Sequence, residues 1–118
     1  MTGKVSYHAG LAAEDAVCAL YERAGLTVAA RRWRGMRGEI DLALRDGPSL
    51  IFVEVKKSRD FARAAASLGS AQVRRLYDTA AEFMATEPGG LNTDARFDVA
   101  LVNAAGEISI LENALCAA

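Results

Sequence analysis

The sequence predicts an α/β fold, a single domain in which a mixed β-sheet is flanked by helices. Apolar residues recur at helical spacing in two stretches, near 8–24 and 71–86, whereas 26–33, 39–44, 50–57, 96–102 and 107–112 read as strands. The resulting order of helix, three strands, helix, strand, strand suits a layered domain. In addition, the run 50–57 is apolar on both faces of an extended chain, as a central strand is. The 118 residues are 52% hydrophobic and 25% charged. A chain of that size forms one domain, here residues 1–118, and buries about two-thirds of the surface its unfolded form exposes.

From about His8 to Ala24, the residues Ala13, Val17, Leu20 and Ala24 form an apolar stripe, which predicts an amphipathic helix. Asp15 and Glu22 fall on the solvated side. Glu14 lies at the margin, within about 20° of Tyr21 around the helix, and is either a rim residue reaching water or a buried acid with a partner. Gly25 stops the helix. Leu26–Trp33 then reads as the first strand and leads into Arg31, Arg32, Trp33, Arg34 and Arg37. Arginines neutralise phosphates and a tryptophan face stacks on an exposed base, so this segment suits nucleic acid. The alternative is an arginine-rich turn with a tryptophan closing the core.

The stretch Arg37–Lys57 holds two strands around the turn Asp46-Gly47-Pro48-Ser49. On the first strand Glu39, Asp41 and Ala43 share one face, and Ile40, Leu42 and Leu44 the other. On the second, Leu50, Phe52, Glu54 and Lys56 lie opposite to Ile51, Val53 and Val55. A hairpin with Asp46 facing Ser49 sets Leu42 against Val53 and Asp41 against Glu54. Facing carboxylates repel by a few tenths to about 1 kcal/mol, so something neutralises them. Lys56 is one candidate. A divalent cation is the other, because paired carboxylates are hard oxygen ligands suited to Mg²⁺. A purely structural ion network of Asp41, Glu54 and Lys56 also fits the residues.

Beyond Lys57, residues 58–66 are consistent with either a mobile loop or a loose helix start. Ser70 is predicted to cap a second helix over Ala71–Thr86, with Val73, Leu76, Tyr77, Ala80 and Phe83 or Met84 at helical spacing. Arg74 and Arg75 stand in its first turn or so, against the helix dipole's preference for acids, a placement that suits a ligand phosphate. Gln72 sits at the edge of the apolar stripe. Glu87-Pro88-Gly89-Gly90 ends the helix. Arg96–Val102 reads as a buried strand in which Asp98 is expected to be structural, bonded to Arg96 or a loop amide, with a metal ligand as the weaker alternative. Glu107–Glu112 alternates as an edge strand does, with Ile108 and Ile110 inward.

Composition excludes several classes of function. A net charge of −1 argues against indiscriminate coating of nucleic acid. The charge is unevenly spread, however: residues 1–75 carry 13 Lys or Arg against 8 Asp or Glu, and residues 76–118 carry 1 against 7, which suggests a basic working face. His8 is the only histidine, which rules out two-histidine chemistry. Cys18 and Cys116 lack any clustered spacing, so neither a zinc site nor a disulfide framework is indicated. Glu14 and Asp15 interrupt what would be a signal peptide's apolar region, and no run spans a bilayer. A cytoplasmic protein without a membrane partner is expected.

Gly38-Glu39-Ile40-Asp41-Leu42 followed by Phe52-Val53-Glu54-Val55-Lys56 resembles the YraN-type family of small bacterial proteins, assigned to the PD-(D/E)XK nuclease superfamily and likened to Holliday-junction resolvases. The resemblance runs from Gly10 to about Leu115 and takes in Gly10, Glu14, Ala16 and Arg96-Phe97-Asp98. It implies an αβββαβ restriction-endonuclease-like core with one added edge strand. It also implies a metal-dependent DNA endonuclease that hydrolyses phosphodiester bonds, with branched DNA as the substrate the resolvase likeness points to, and a homodimer, since two strands must be cut. Asp41 and Glu54 would hold Mg²⁺ or Mn²⁺ with the backbone carbonyl of Val55, and Glu14 would complete or support the shell. Lys56 would orient the attacking water or offset transition-state charge. Arg32, Trp33, Arg34, Arg37, Gln72 and Arg74 are the substrate-binding candidates. Arg32 replaces the family's usual asparagine and Gln72 its usual lysine, departures that bear on substrate contacts more than on metal. Ile40 stands where the superfamily has proline, as is usual in this family. The alternative is a noncatalytic nucleic-acid-binding module that kept the nuclease fold and acts in DNA repair or uptake.

Overall fold

Gly25 adopts φ +95°, a left-handed conformation open to glycine without a Cβ penalty, and the first helix stops just before it. The computed structural model describes residues 3–115, with side chains from residue 10 onward. Helix α1 (Gly3–Arg23) is followed by strands β1 (Thr27–Arg34), β2 (Glu39–Asp46) and β3 (Ser49–Lys57). Helices α2 (Phe61–Ala66) and α3 (Ser70–Met84) then cross to β4 (Ala95–Val102), and β5 (Ile108–Leu111) ends the sheet. The five strands lie in the order β1-β2-β3-β4-β5, so β3 is central. All neighbours are antiparallel except β3 and β4, which are parallel and need the long helical crossover.

The two faces of the sheet carry separate cores. Ala13, Val17, Cys18 and Tyr21 of α1 pack on Leu42, Leu44, Ile51, Val53, Ala100 and Val102. On the other face Leu76, Ala80 and Phe83 of α3 pack on Ile40, Ala43, Leu50 and Phe52, while Ala64 of α2 covers Val99 and Leu101. An aromatic row ties this second layer together. Phe83 meets Trp33 edge-on at 5.3 Å and Phe52 at 5.7 Å, and Phe52 stacks on Phe97 at 5.3 Å. Each fully buried large side chain contributes about 1.5–3 kcal/mol, which is how two thin layers hold a sheet this small.

Several expectations are refined. Helix α1 begins at Gly3, so His8 lies within it rather than ahead of it; the side chain of His8, like Cys116, lies outside the described residues. The buried stripe of α1 is Ala13, Val17, Cys18 and Tyr21; Leu20 is half-buried and Ala24 exposed, because the i, i+4, i+8 row from Ala13 faces the sheet. Of residues 58–66, Phe61–Ala66 form a capped helix, with the Asp60 carboxylate accepting the Arg63 N–H at 2.8 Å. Ser70 is the first residue of α3 rather than its cap; Gly69 takes that place without a side-chain bond. Ile40 packs with the α3 layer, not with Leu42 and Leu44, so strict alternation of faces along β2 is lost between Ile40 and Leu42. Among the described residues no helix is long and apolar enough to cross a membrane.

Asp98 is 0% exposed and structural, as expected. It accepts hydrogen bonds from the Tyr21 hydroxyl at 2.8 Å, the Arg96 guanidinium at 3.0 Å and the Asn113 N–H at 2.9 Å, joining α1, β4 and the segment after β5. Burial and this bond hold the Tyr21 hydroxyl well above its usual pKa. Replacing Asp98 by Ala is expected to destabilise the fold by about 3–5 kcal/mol, and Tyr21→Phe by about 1–3 kcal/mol; urea denaturation at pH 7 measures both.

Candidate functional site

The β2–β3 ladder runs from Asp46↔Ser49 to Leu42↔Val53 and goes no further. Continued in the same register, the Val55 N–H would meet the carbonyl of Ile40. Instead it donates to the Asp41 carboxylate at 2.8 Å. The side chain of Asp41 thus takes the place of a backbone acceptor at the point where the strands part, so the opening leaves no buried N–H unsatisfied. Asp41 sits beside Glu54, as the register anticipated, although the two are not a ladder pair.

Glu54 is 6% exposed and held from three sides. Lys56, two residues on and therefore on the same face of β3, lies 3.4 Å from its Oε2. The Gln72 amide of α3 donates to the same oxygen. Asp41 shares a hydrogen bond with it. Burial first, then the bond to Asp41 and its charge, push the Glu54 carboxyl up to about 9, and Lys56 opposes them only in part. Two carboxylates that share a hydrogen bond need a proton between them, and the acid pair accordingly carries one at neutral pH.

Above the pair opens a cleft of about 370 Å³, lined by Glu14, Arg32, Glu39, Gln72, Arg75 and others. Arg32 stands in a left-handed conformation (φ +52°) just beyond an irregularity in the β1–β2 register. Its Nε lies 3.8 Å from Glu14 and 3.5 Å from Glu39, bridging α1 to the sheet. Glu14 is therefore a largely buried acid with a partner rather than a rim residue. Burial and nearby Asp41 raise its pKa, while Arg32 and Arg31 pull it down. Its Oε1 is buried and accepts no hydrogen bond among the described residues.

The candidates from sequence thus divide. Glu14, Arg32, Asp41, Glu54 and Gln72 line the cleft, with Lys56 bound to Glu54 and Val55 to Asp41. The half-buried Trp33 ring packs edge-on against Phe83 at the margin of the α3 core and does not line the cleft. Arg34 and Arg37 are mostly exposed outside the cleft, paired with Glu39 at 3.2 Å and Asp78 at 3.9 Å. Arg74 is exposed and does not line the cleft, whereas Arg75 does. Helical spacing carries that signal: Arg75 and Leu76 follow Gln72 by three and four residues on one face, while Arg74 lies about 200° away. Gly38 was missed as a cleft residue. A Cβ on it would meet the Thr79 hydroxyl at 2.9 Å, so glycine allows the loop to close on α3.

A hard dication fits this donor set in one respect and is limited in another. It would replace the proton placed on the Asp41–Glu54 pair, and Glu14, whose Oε1 accepts no hydrogen bond among the described residues, lines the same cleft. Yet among the described residues no three His, Cys, Asp or Glu side chains are gathered into one cage. The donors the protein could offer such an ion are the Asp41–Glu54 pair and a backbone carbonyl, which would leave positions for water, as Mg²⁺ prefers.

Comparison with known proteins gives one consistent result. The model of a family described as Uncharacterised protein family UPF0102 matches residues 13–102. A UPF0102 protein of Cereibacter sphaeroides strain KD131 is 57% identical over 117 residues, 99% of this chain and 100% of the relative. A UPF0102 protein of Roseobacter denitrificans is 57% identical over 113 residues, covering 96% and 88%. One from Ruegeria pomeroyi is 56% identical over 112 residues, covering 95% and 91%.

The raised pKa of Glu54 has a sign that can be measured. Below about pH 4.5 native and unfolded chains both hold this proton, and between about 4.5 and 9 only the native chain does. The unfolded state therefore binds fewer protons, and stability falls as pH rises through that window. The urea midpoint of metal-free protein is expected to decline from pH 5 to 9, and Glu54→Gln to flatten the decline. An unchanged slope in the variant would contradict the placement of that proton.

Proposed function

The chain belongs to the UPF0102 family, and we propose that it is a metal-dependent DNA endonuclease of PD-(D/E)XK type acting on branched DNA. The observation that carries this reading is the acid pair Asp41 and Glu54, with Lys56 bound to Glu54, set where β2 and β3 part beneath an open cleft. A network meant only to hold register would not need an opening to solvent beside its most deeply buried charge.

Asp41 and Glu54, with the Val55 carbonyl, would hold Mg²⁺ or Mn²⁺, and Glu14 stands across the same cleft to support a water in that shell. When bound, such an ion supplies positive charge that acidifies water and offsets the negative charge growing on a phosphate. Lys56, held at Glu54, would orient the attacking water and stabilise transition-state charge. Gln72 fixes the Glu54 carboxylate through a neutral donor, which keeps it available as a ligand. Arg32 and Arg75 give the cleft two cations for the phosphates on either side of the scissile bond.

The test is cleavage of labelled linear, flapped and four-way-junction DNA with Mg²⁺ or Mn²⁺, comparing the natural protein with Asp41→Ala and Lys56→Ala. Cutting is expected only with metal, and to fall by about 10²–10³-fold or more in each variant. If all three proteins bind DNA alike and none cuts, the carboxylates are structural and the chain is a noncatalytic binding module.

A further inference from the structure

The loop between β1 and β2, residues Gly35–Gly38, is held more firmly than a four-residue connection requires. Its ends are joined by the Gly35 N–H donating to the Gly38 carbonyl at 2.9 Å. Its middle is clamped by Glu82 of α3, whose two carboxylate oxygens accept the Met36 N–H at 2.9 Å and the Arg37 N–H at 3.1 Å. Both glycines lie so close to α3 that a Cβ would stand 2.7 Å from Glu82 or 2.9 Å from Thr79. At the tip of this fixed loop is Met36, 96% exposed. A single exposed apolar residue is ordinary on a protein surface. One carried on a clamped loop is different, since the backbone is already ordered and only the side chain's own rotamers remain to be fixed on binding.

The flanks match one kind of partner. Arg34 and Arg37 lie on either side of Met36, with side chains 80% and 67% exposed. Their ion pairs to Glu39 and Asp78 are surface pairs worth roughly 0–1 kcal/mol and yield readily to a phosphate. The hollow under the loop shares Gly38 and Glu39 with the cleft, so the loop adjoins the cleft. An apolar wedge between cations is how proteins enter the base stack of DNA and part a step.

Building on the nuclease reading above, we infer that the Gly35–Gly38 loop is a DNA-docking finger, in which Met36 inserts between bases while Arg34 and Arg37 hold the phosphates on either side. The wedge parts the duplex next to the cleft and presents the backbone to Asp41, Glu54 and Lys56. The glycines and Glu82 act as positioning residues, keeping the tip from folding back when DNA meets it.

The test uses four-way-junction DNA and a linear duplex carrying 2-aminopurine at successive positions, titrated with full-length protein in metal-free buffer so that nothing is cut. Fluorescence reads unstacking, and anisotropy of a separate end label reads binding. The natural protein is expected to raise 2-aminopurine fluorescence at one step, Met36→Ala to abolish that rise and weaken binding by about tenfold, and Met36→Phe to keep it. Thermal melts should be alike in all three, as Met36 is exposed. Tight binding with no change in fluorescence at any position overturns the wedge and leaves the nuclease reading standing. Failure to bind either DNA overturns both.

Discussion

The structure depends on how Asp41 ends a β-ladder. By accepting the Val55 N–H, its carboxylate lets β2 leave β3 while no backbone donor goes unpaired. The opening this creates exposes one side of Glu54, which would otherwise be sealed in the central strand. A backbone acceptor in place of Asp41 would continue the sheet and close the cleft. Burial raises the Glu54 pKa first and the same carboxylate adds to it, so Asp41 bears on both the shape of the site and its charge.

That arrangement is costly, and the magnitudes show why the fold sustains it. Holding Glu54 neutral at pH 7, about 2.5 units above its unfolded pKa, costs about 3 kcal/mol. Leu50, Phe52 and Val53 beside it on β3 are each almost fully buried and contribute about 1.5–3 kcal/mol apiece. The aromatic row from Trp33 through Phe83 and Phe52 to Phe97 anchors α3, which carries Gln72 and Arg75. On the opposite face, the buried Asp98 ties α1 to β4, which steadies the helix bearing Glu14. Strain at the site is thus offset by packing on both sides of one strand.

Much of this was legible in the sequence, for reasons that differ by element. The hairpin register followed from Asp46-Gly47-Pro48-Ser49 and from matching apolar faces, and it brought Asp41 beside Glu54 correctly. The central position of β3 followed from its two apolar faces. Lys56 and Gln72 were placed by strand and helix periods. The end of the β2–β3 ladder next to Asp41 was not visible, because alternation assumes that both strands stay paired, and so Ile40 was assigned to the wrong layer. Trp33 read equally well as base platform or core, and only its contact with Phe83 puts it at the margin of the core. Arg74 and Arg75 were adjacent candidates, and counting around the helix from Gln72 separates them. The clamp of Glu82 on the Gly35–Gly38 loop joins residues more than forty positions apart and left no local trace.

The central claim is that Asp41 and Glu54 hold a proton in the place where a divalent cation belongs. Isothermal titration of Mn²⁺ into the metal-free protein at pH 7, repeated in two buffers of different ionisation enthalpy, tests it directly. Binding at one site with release of about one proton per metal, and no such release from Glu54→Gln, is the predicted result. Absence of binding at millimolar Mn²⁺, or binding that releases no proton, would contradict it.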